Sequence, residues 1–142
     1  MGPKQKAWKA CSKYIRLRDA IDFCRLHKID PSQFNRVEDL PVQCCDCKTI
    51  KSWIRMDAGH FIGRGLGGGS GAYFDERNIH AQAKRCNQFK QNDPKYHQFM
   101  VDKYGQKTID ELERRHRMPG SNDYKAIELH YRVLYNELVK GI

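Results

Sequence analysis

Cys44, Cys47, Asp57, His60, Asn78, Cys86 and Asn87 are gathered in one stretch of the chain, from Cys44 to Lys90. Cys44 and Cys47 form a Cys-x-x-Cys pair and Cys86 follows near the far end, a spacing that suits two knuckles gripping one structural zinc ion. Asp57, His60 and Asn78 lie between them, and Asn87 directly follows the last cysteine. Hydrolysis of a phosphodiester needs a base to activate water and a hard cation to neutralise charge on the phosphate and the leaving oxygen. His60 is the candidate base, with Asp57 and Asn87 as candidate cation ligands. Oxygen donors favour Mg²⁺ or Mn²⁺ and thiolates favour zinc, so the residue types predict two different metals, one catalytic and one structural.

The surrounding segments must bring these groups together. Residues 4–28 place Ala7, Ala10, Tyr14, Leu17, Ile21 and Cys24 at spacings of three and four, which predicts a helix with one apolar stripe. Its other faces carry Lys9, Lys13, Arg16, Arg18 and Arg25, either a solvated side or one that tracks a DNA arm. Residues 29–43 hold Pro31 and Pro41 and read as a connector. Ser52–Ile62 reads as a strand, on which Asp57 and His60 would point to opposite faces unless Gly59 permits a bulge. The next strand carries Asn78, His80 and Gln82 on one face, and a helix from Ala83 brings Lys84, Arg85, Asn87 and Lys90 to the same neighbourhood. Lys90, three residues beyond Asn87, would lie where the cleaved phosphate sits.

Gly63–Gly71 has six glycines in nine positions and includes GRGLGG. It is not a dinucleotide-binding turn, because aromatics and a strand follow where a helix must open. It reads as a connection between the two strands, from which Arg64 can reach a phosphate. Beyond it, Asp93-Pro94 starts a helix, Gly105 stops it, Thr108-x-x-Glu111 reads as a capping box, and Pro119 ends that segment. The last helix presents Tyr124, Ile127, Tyr131, Leu134 and Leu138 at three-four spacing, as core or as a dimer surface.

At 142 residues the chain suits one domain. A 39% hydrophobic and 30% charged composition is that of a globular protein rather than a disordered tail. No apolar run approaches the roughly 18 residues of a membrane span, which excludes membrane partners. Three of the six cysteines cluster at 44, 45 and 47 and no secretion signal is seen, which favours metal binding in a reducing cytoplasm over three disulfides. A net charge of +9 favours a polyanionic partner.

DAGHF at 57–61, NIHAQ at 78–82 and Cys86-Asn87 together resemble the His-Asn-His (HNH, or ββα-metal) nuclease core, in the variant with asparagine at the last position. The set is similar to that of phage endonuclease VII. The wider pattern, YIRLRDA at 14–20, DAGHF, ERNIHAQ followed by KRCNQ, and KYG at 103–105, resembles the phage NinG/Rap recombination family over about residues 8–140. The resemblance implies an α+β fold in which residues 44–92 form a zinc-supported ββα-metal core, flanked by the N-terminal helix and by helices over 93–142. It also implies a phage enzyme acting in the bacterial host cell on branched DNA such as Holliday junctions and D-loops, most simply as a homodimer. His60 would be its base, Asn78 would fix the loop and the histidine, and Arg64, Lys84, Arg85 and Lys90 would meet DNA. The chain departs from the family at Ala83, where a second-knuckle cysteine belongs. Water, Cys45 or His80 are the alternatives for the fourth zinc position. A non-catalytic zinc-knuckle scaffold and an HNH nuclease without branch preference are the rival readings.

Overall fold

The computed structural model describes residues 1–63, 69–89 and 94–142. The chain opens with α1 (Pro3–Leu26), against which the last helix, the first strand and the central hairpin are packed. Two short 3-10 turns, Pro31–Gln33 and Val37–Asp39, lead to β1 (Pro41–Gln43), which pairs antiparallel with β2 (Ile50–Ser52). A second antiparallel pair follows, β3 (Met56–His60) with β4 (Ile79–Ala83), and β4 runs directly into the short helix α2 (Lys84–Phe89). Helices α3 (Pro94–Tyr104), α4 (Gln106–His116) and α5 (Tyr124–Lys140) complete the chain. The result is a mixed fold of helices and small two-stranded sheets. No helix among the described residues is long and apolar enough to cross a membrane.

The buried face of α1 is broader than one stripe. Cys11, Ile15 and Ala20 are fully buried alongside Ala7, Leu17 and Cys24, whereas Ala10 and Tyr14 are only half-buried. The cause is that α1 is covered on two sides. Its Leu17, Ala20 and Ile21 pack with Met56, Ala81 and Ala83 of the β3–β4 hairpin, while Cys11 and Ile15 join Tyr131, Ile127 and Leu134 of α5. Of the α5 stripe Tyr131 is buried, whereas Tyr124, Ile127, Leu134 and Leu138 are half-buried.

Two of the arginines read as belonging to a DNA-facing side turn inward instead. Arg18 donates from Nη1 to the Glu76 carbonyl (2.9 Å) and from Nη2 to the Ile79 carbonyl (2.8 Å), and its Nε meets Asp19 Oδ1 at 2.9 Å. Asp19 in turn accepts the Ala81 N–H at 2.7 Å, so one charge pair stitches α1 to β4. Burial disfavours the Arg18 charge, and the adjacent Asp19 carboxylate more than restores it. Arg16 likewise reaches the Trp53 and Met56 carbonyls.

Three local expectations are corrected. The expected Ser52–Ile62 strand is interrupted, because Ser52 Oγ accepts the Ile54 N–H and opens a 3-10 turn over Trp53–Arg55. That turn drives Trp53 inward, where its indole donates to the Val37 carbonyl at 2.7 Å. Asn78 lies in a 3-10 turn (Glu76–Asn78) rather than on β4, so it does not share a strand face with His80 and Gln82. Thr108 does not cap a helix, since α4 begins at Gln106 after Gly105, whose φ of +86° lies in the left-handed region and folds α3 back onto α4.

Replacing Arg18 by alanine strands the Asp19 carboxylate and two carbonyls away from water. Denaturant melts should show a loss of about 3 kcal/mol, and an unchanged midpoint would mean that this pair does not hold α1 to β4.

Candidate metal centre and active site

The knuckle at the end of β1 is a tight turn in which the Cys44 N–H meets the Thr49 carbonyl at 2.9 Å and Lys48 adopts a φ of +67°. Cys44 and Cys47 come from this turn and Cys86 from α2, and their three sulfurs lie within 4.8 Å of one another. The Cys44 sulfur accepts the Asp46 N–H (3.4 Å) and the Ala83 N–H (3.1 Å), so backbone donors from both knuckles already converge on it. A hydrogen bond from Cys45, opposed by burial and aided by those N–H groups, pushes the Cys44 thiol down to about 4. Burial, followed by the neighbouring thiols, pushes Cys86 up to about 12. Burial and the neighbouring thiols thus oppose charge on Cys86, and a dication held between the sulfurs would relieve that repulsion. Three thiolates of this kind suit zinc.

Of the groups considered for the fourth position, two are otherwise engaged. His80 is fully buried, with Nδ1 3.2 Å from the Tyr96 hydroxyl and Nε2 2.8 Å from the Tyr104 hydroxyl. Because Tyr96 donates to the Gly59 carbonyl (2.7 Å), His80 must donate from Nδ1 and accept from Tyr104. Its charged form is strongly disfavoured by burial and then by Arg18 and Lys103. Cys45 hydrogen-bonds to Cys44 but is not one of the three mutually close sulfurs, and its side chain is buried with Tyr96, Met100, Ile109 and Leu112. The Ala83 backbone is at the centre, but its methyl supplies no ligand.

Asp57 meets the second knuckle on its other side. It faces Gln82 across the hairpin, and its carboxylate receives Asn87 Nδ2 at 3.0 Å and Lys84 Nζ at 2.9 Å. Burial alone would raise the Asp57 carboxyl, but Asn87, Lys84 and Arg16 together hold it below its usual range. Asp57 and Asn87 are thus brought together, and the Lys84 ammonium sits where a metal cation could bind an anionic oxygen. The Lys84 side chain is exposed, and Arg85 is also exposed on α2. Arg64 and Lys90 lie outside the described residues.

His60 sits in a different cluster. The β3–β4 register runs one to one from Met56↔Ala83 to His60↔Ile79, so there is no bulge at Gly59. Alternation therefore sends Asp57 toward α2 and His60 toward α1. Gly59 has another role, because a Cβ there would lie 1.9 Å from Gln82 Oε1, where the glutamine side chain crosses the strand. The His60 ring stacks on Trp8 of α1 (4.8 Å between centroids, 21° between planes) and lies 4.6 Å from the Tyr73 ring. Its Nε2 is 2.8 Å from the Tyr73 carbonyl. A carbonyl only accepts, so the neutral ring carries its proton on Nε2 and its lone pair on Nδ1.

Asn78 holds the backbone that makes this contact. Its Nδ2 donates to the Ile62 and Ala72 carbonyls (3.1 Å each), and its Oδ1 accepts the Ile62 N–H (2.8 Å). The asparagine thereby fastens the residues just after His60 to those just before Tyr73. The far end of the glycine-rich segment is anchored too, where Gly71 donates to the Met118 carbonyl and Gly120 to the Gly69 carbonyl, both at 2.8 Å. A Cβ on Gly71 would lie 2.6 Å from the Arg115 carbonyl, so the close approach requires glycine. Trp8 and Tyr73, the ring neighbours of His60, were missed in the sequence, where no periodicity links them to the histidine.

A small mixed fold of helices and two-stranded sheets, with three cysteines placed where they could hold one metal ion, is the class that this arrangement defines. The family model described as "Bacteriophage Lambda NinG protein" matches residues 4–141, and the chain belongs to the NinG family. It is similar to Protein ninG of Salmonella phage P22, 35% identical over 109 residues that cover 74% of this chain and 52% of the relative. Protein ninG of Escherichia phage lambda gives the same identity and coverage. That of Escherichia phage 933W is 38% identical over 84 residues, 58% of this chain and 40% of the relative. The chain thus spans about half or less of the length of these relatives. No solved structure matches it.

Ala83→Cys should add the missing thiolate at a backbone position already hydrogen-bonded to Cys44. Zinc affinity is expected to rise on the order of tenfold or more, with a higher melting temperature. Unchanged zinc content and melting would contradict the two-knuckle site.

Proposed function

We propose that the chain is a metal-dependent endonuclease of the HNH type that hydrolyses DNA strands at branched recombination intermediates, Holliday junctions and D-loops among them. The observation that carries this reading is the His60 imidazole, whose Nε2 proton is committed to the Tyr73 carbonyl, which makes Nδ1 the basic nitrogen of the neutral ring. Trp8 and Tyr73 restrict the ring, and Asn78 holds the carbonyl that sets its tautomer. Asp57 and Asn87 would hold Mg²⁺ or Mn²⁺, with Lys84 released from the carboxylate as the cation enters. One carboxylate and one amide fit such an ion, which keeps several waters of its own. When bound, it supplies charge neutralisation at the phosphate and the leaving oxygen. Lys84, once released, and Arg85 would then meet the DNA backbone on the α2 side, with Arg64 and Lys90 as further candidates.

The branched substrate, a homodimer with two active sites and action in the host cytoplasm rest on family resemblance. The net charge of +9 supports a nucleic-acid partner. A second reading, a zinc-knuckle DNA-binding scaffold without catalysis, is favoured by one observation: Asp57 and His60 belong to separate clusters on opposite faces of β3.

Cleavage of a labelled four-way junction with Mn²⁺, and with EDTA as control, separates the two. His60→Ala should lower metal-dependent cleavage by about 10²- to 10⁴-fold while leaving junction binding in place. Full activity in that variant, or no cleavage by the wild type, would exclude His60 as the base. Flap and linear duplex measured alongside test the branch preference.

A further inference from the structure

Four cations line a groove on the side of α1 that the chemistry at His60 does not use. Lys6, Lys9 and Lys13 of α1 and Arg132 of α5 border a groove of about 530 Å³, to which Ala10 and Tyr135 contribute apolar surface. All three lysines are exposed, and the Arg132 side chain is 69% exposed. Lys13 Nζ lies 4.4 Å from the centre of the Tyr135 ring, which holds its charge against the groove wall. One carboxylate, Glu128, borders the groove 3.5 Å from Arg132, so four cations stand against a single anion.

The basic residues of α1 are therefore sorted by partner. Arg16 and Arg18 are spent on backbone carbonyls of the core, whereas Lys6, Lys9 and Lys13 remain at the solvent edge. A rise of about 1.5 Å per residue spreads these lysines over about 10 Å, or about three steps of a nucleic-acid strand at 3.4 Å each. Trp8, stacked on His60, immediately precedes Lys9, so the groove and the candidate active site share the N-terminal half of α1.

We propose that this groove between α1 and α5 binds the phosphodiester backbone of DNA, as a second contact surface that seats one strand or arm while another lies at His60. The inference rests on the reading of the chain as a DNA-acting protein and adds where the rest of the substrate is held.

The test is binding of a four-way junction, a linear duplex and a single strand, measured by fluorescence anisotropy in EDTA over a range of salt. The variant carries Lys6→Gln, Lys9→Gln, Lys13→Gln and Arg132→Gln. A control carries Lys28→Gln, Lys51→Gln, Lys107→Gln and Arg117→Gln, which removes equal charge outside the groove. The groove variant should bind duplex-containing DNA on the order of 10- to 100-fold more weakly near 0.1 M salt, and the slope of log K against log salt should fall by about 3. The control should lose much less, and melting curves verify that both are folded. A groove variant with wild-type affinity and slope would overturn the proposal and leave the groove to an acidic protein. An equal loss in the control would also overturn it, as an effect of bulk charge. Cleavage with Mn²⁺ is scored separately: a wild type that binds through the groove but never cuts removes the nuclease reading and leaves the groove assigned.

Discussion

The hydrogen bond between His60 Nε2 and the Tyr73 carbonyl, 2.8 Å long, decides which imidazole nitrogen can act as a base. It joins two parts of the chain 13 residues apart, on either side of the glycine-rich segment. Such a contact is kept only if both sides are held independently. The β3–β4 ladder and Trp8 hold the imidazole. Asn78, with its three bonds to Ile62 and Ala72, and the clamp of Gly71 and Gly120 hold the carbonyl.

The same hairpin divides the chemistry by strand alternation. One face turns Ala58 and His60 toward α1, and the other turns Asp57 toward Lys84 and Asn87 of α2. The thiol trio fixes where α2 begins, since the Ala83 N–H at the strand–helix junction donates to Cys44. Zinc at that point would secure the first turn of a six-residue helix, too short to be stable alone. The thiol site would thus position Asn87, and through it the Asp57 carboxylate.

Much of this arrangement is written locally in the chain. The Cys-x-x-Cys turn, the approach of Cys86 to it, the pairing of β3 with β4 and the limits of α3 at Pro94 and Gly105 follow from spacing and residue type, whereas the Thr108 cap does not. Gly59 shows where local reasoning stops: a glycine between Asp57 and His60 invites a bulge, yet its absent side chain makes room for Gln82 from the partner strand. Arg16 and Arg18 are similar, because a helical wheel cannot distinguish a cation facing water from one facing the carbonyls of another element. Trp8 and Tyr73 owe their place beside His60 to tertiary packing, for which periodicity carries no signal. His80 looked like a possible ligand, but two tyrosines from α3 enclose it.

The most direct test of this account is nitrogen-resolved NMR of the His60 imidazole as Mn²⁺ is added, in the wild type and in Asp57→Ala. The account predicts a ring protonated at Nε2 and unprotonated at Nδ1, with resonances that Mn²⁺ broadens in the wild type and leaves sharp in the variant. A proton on Nδ1, or broadening that persists without the Asp57 carboxylate, would contradict it.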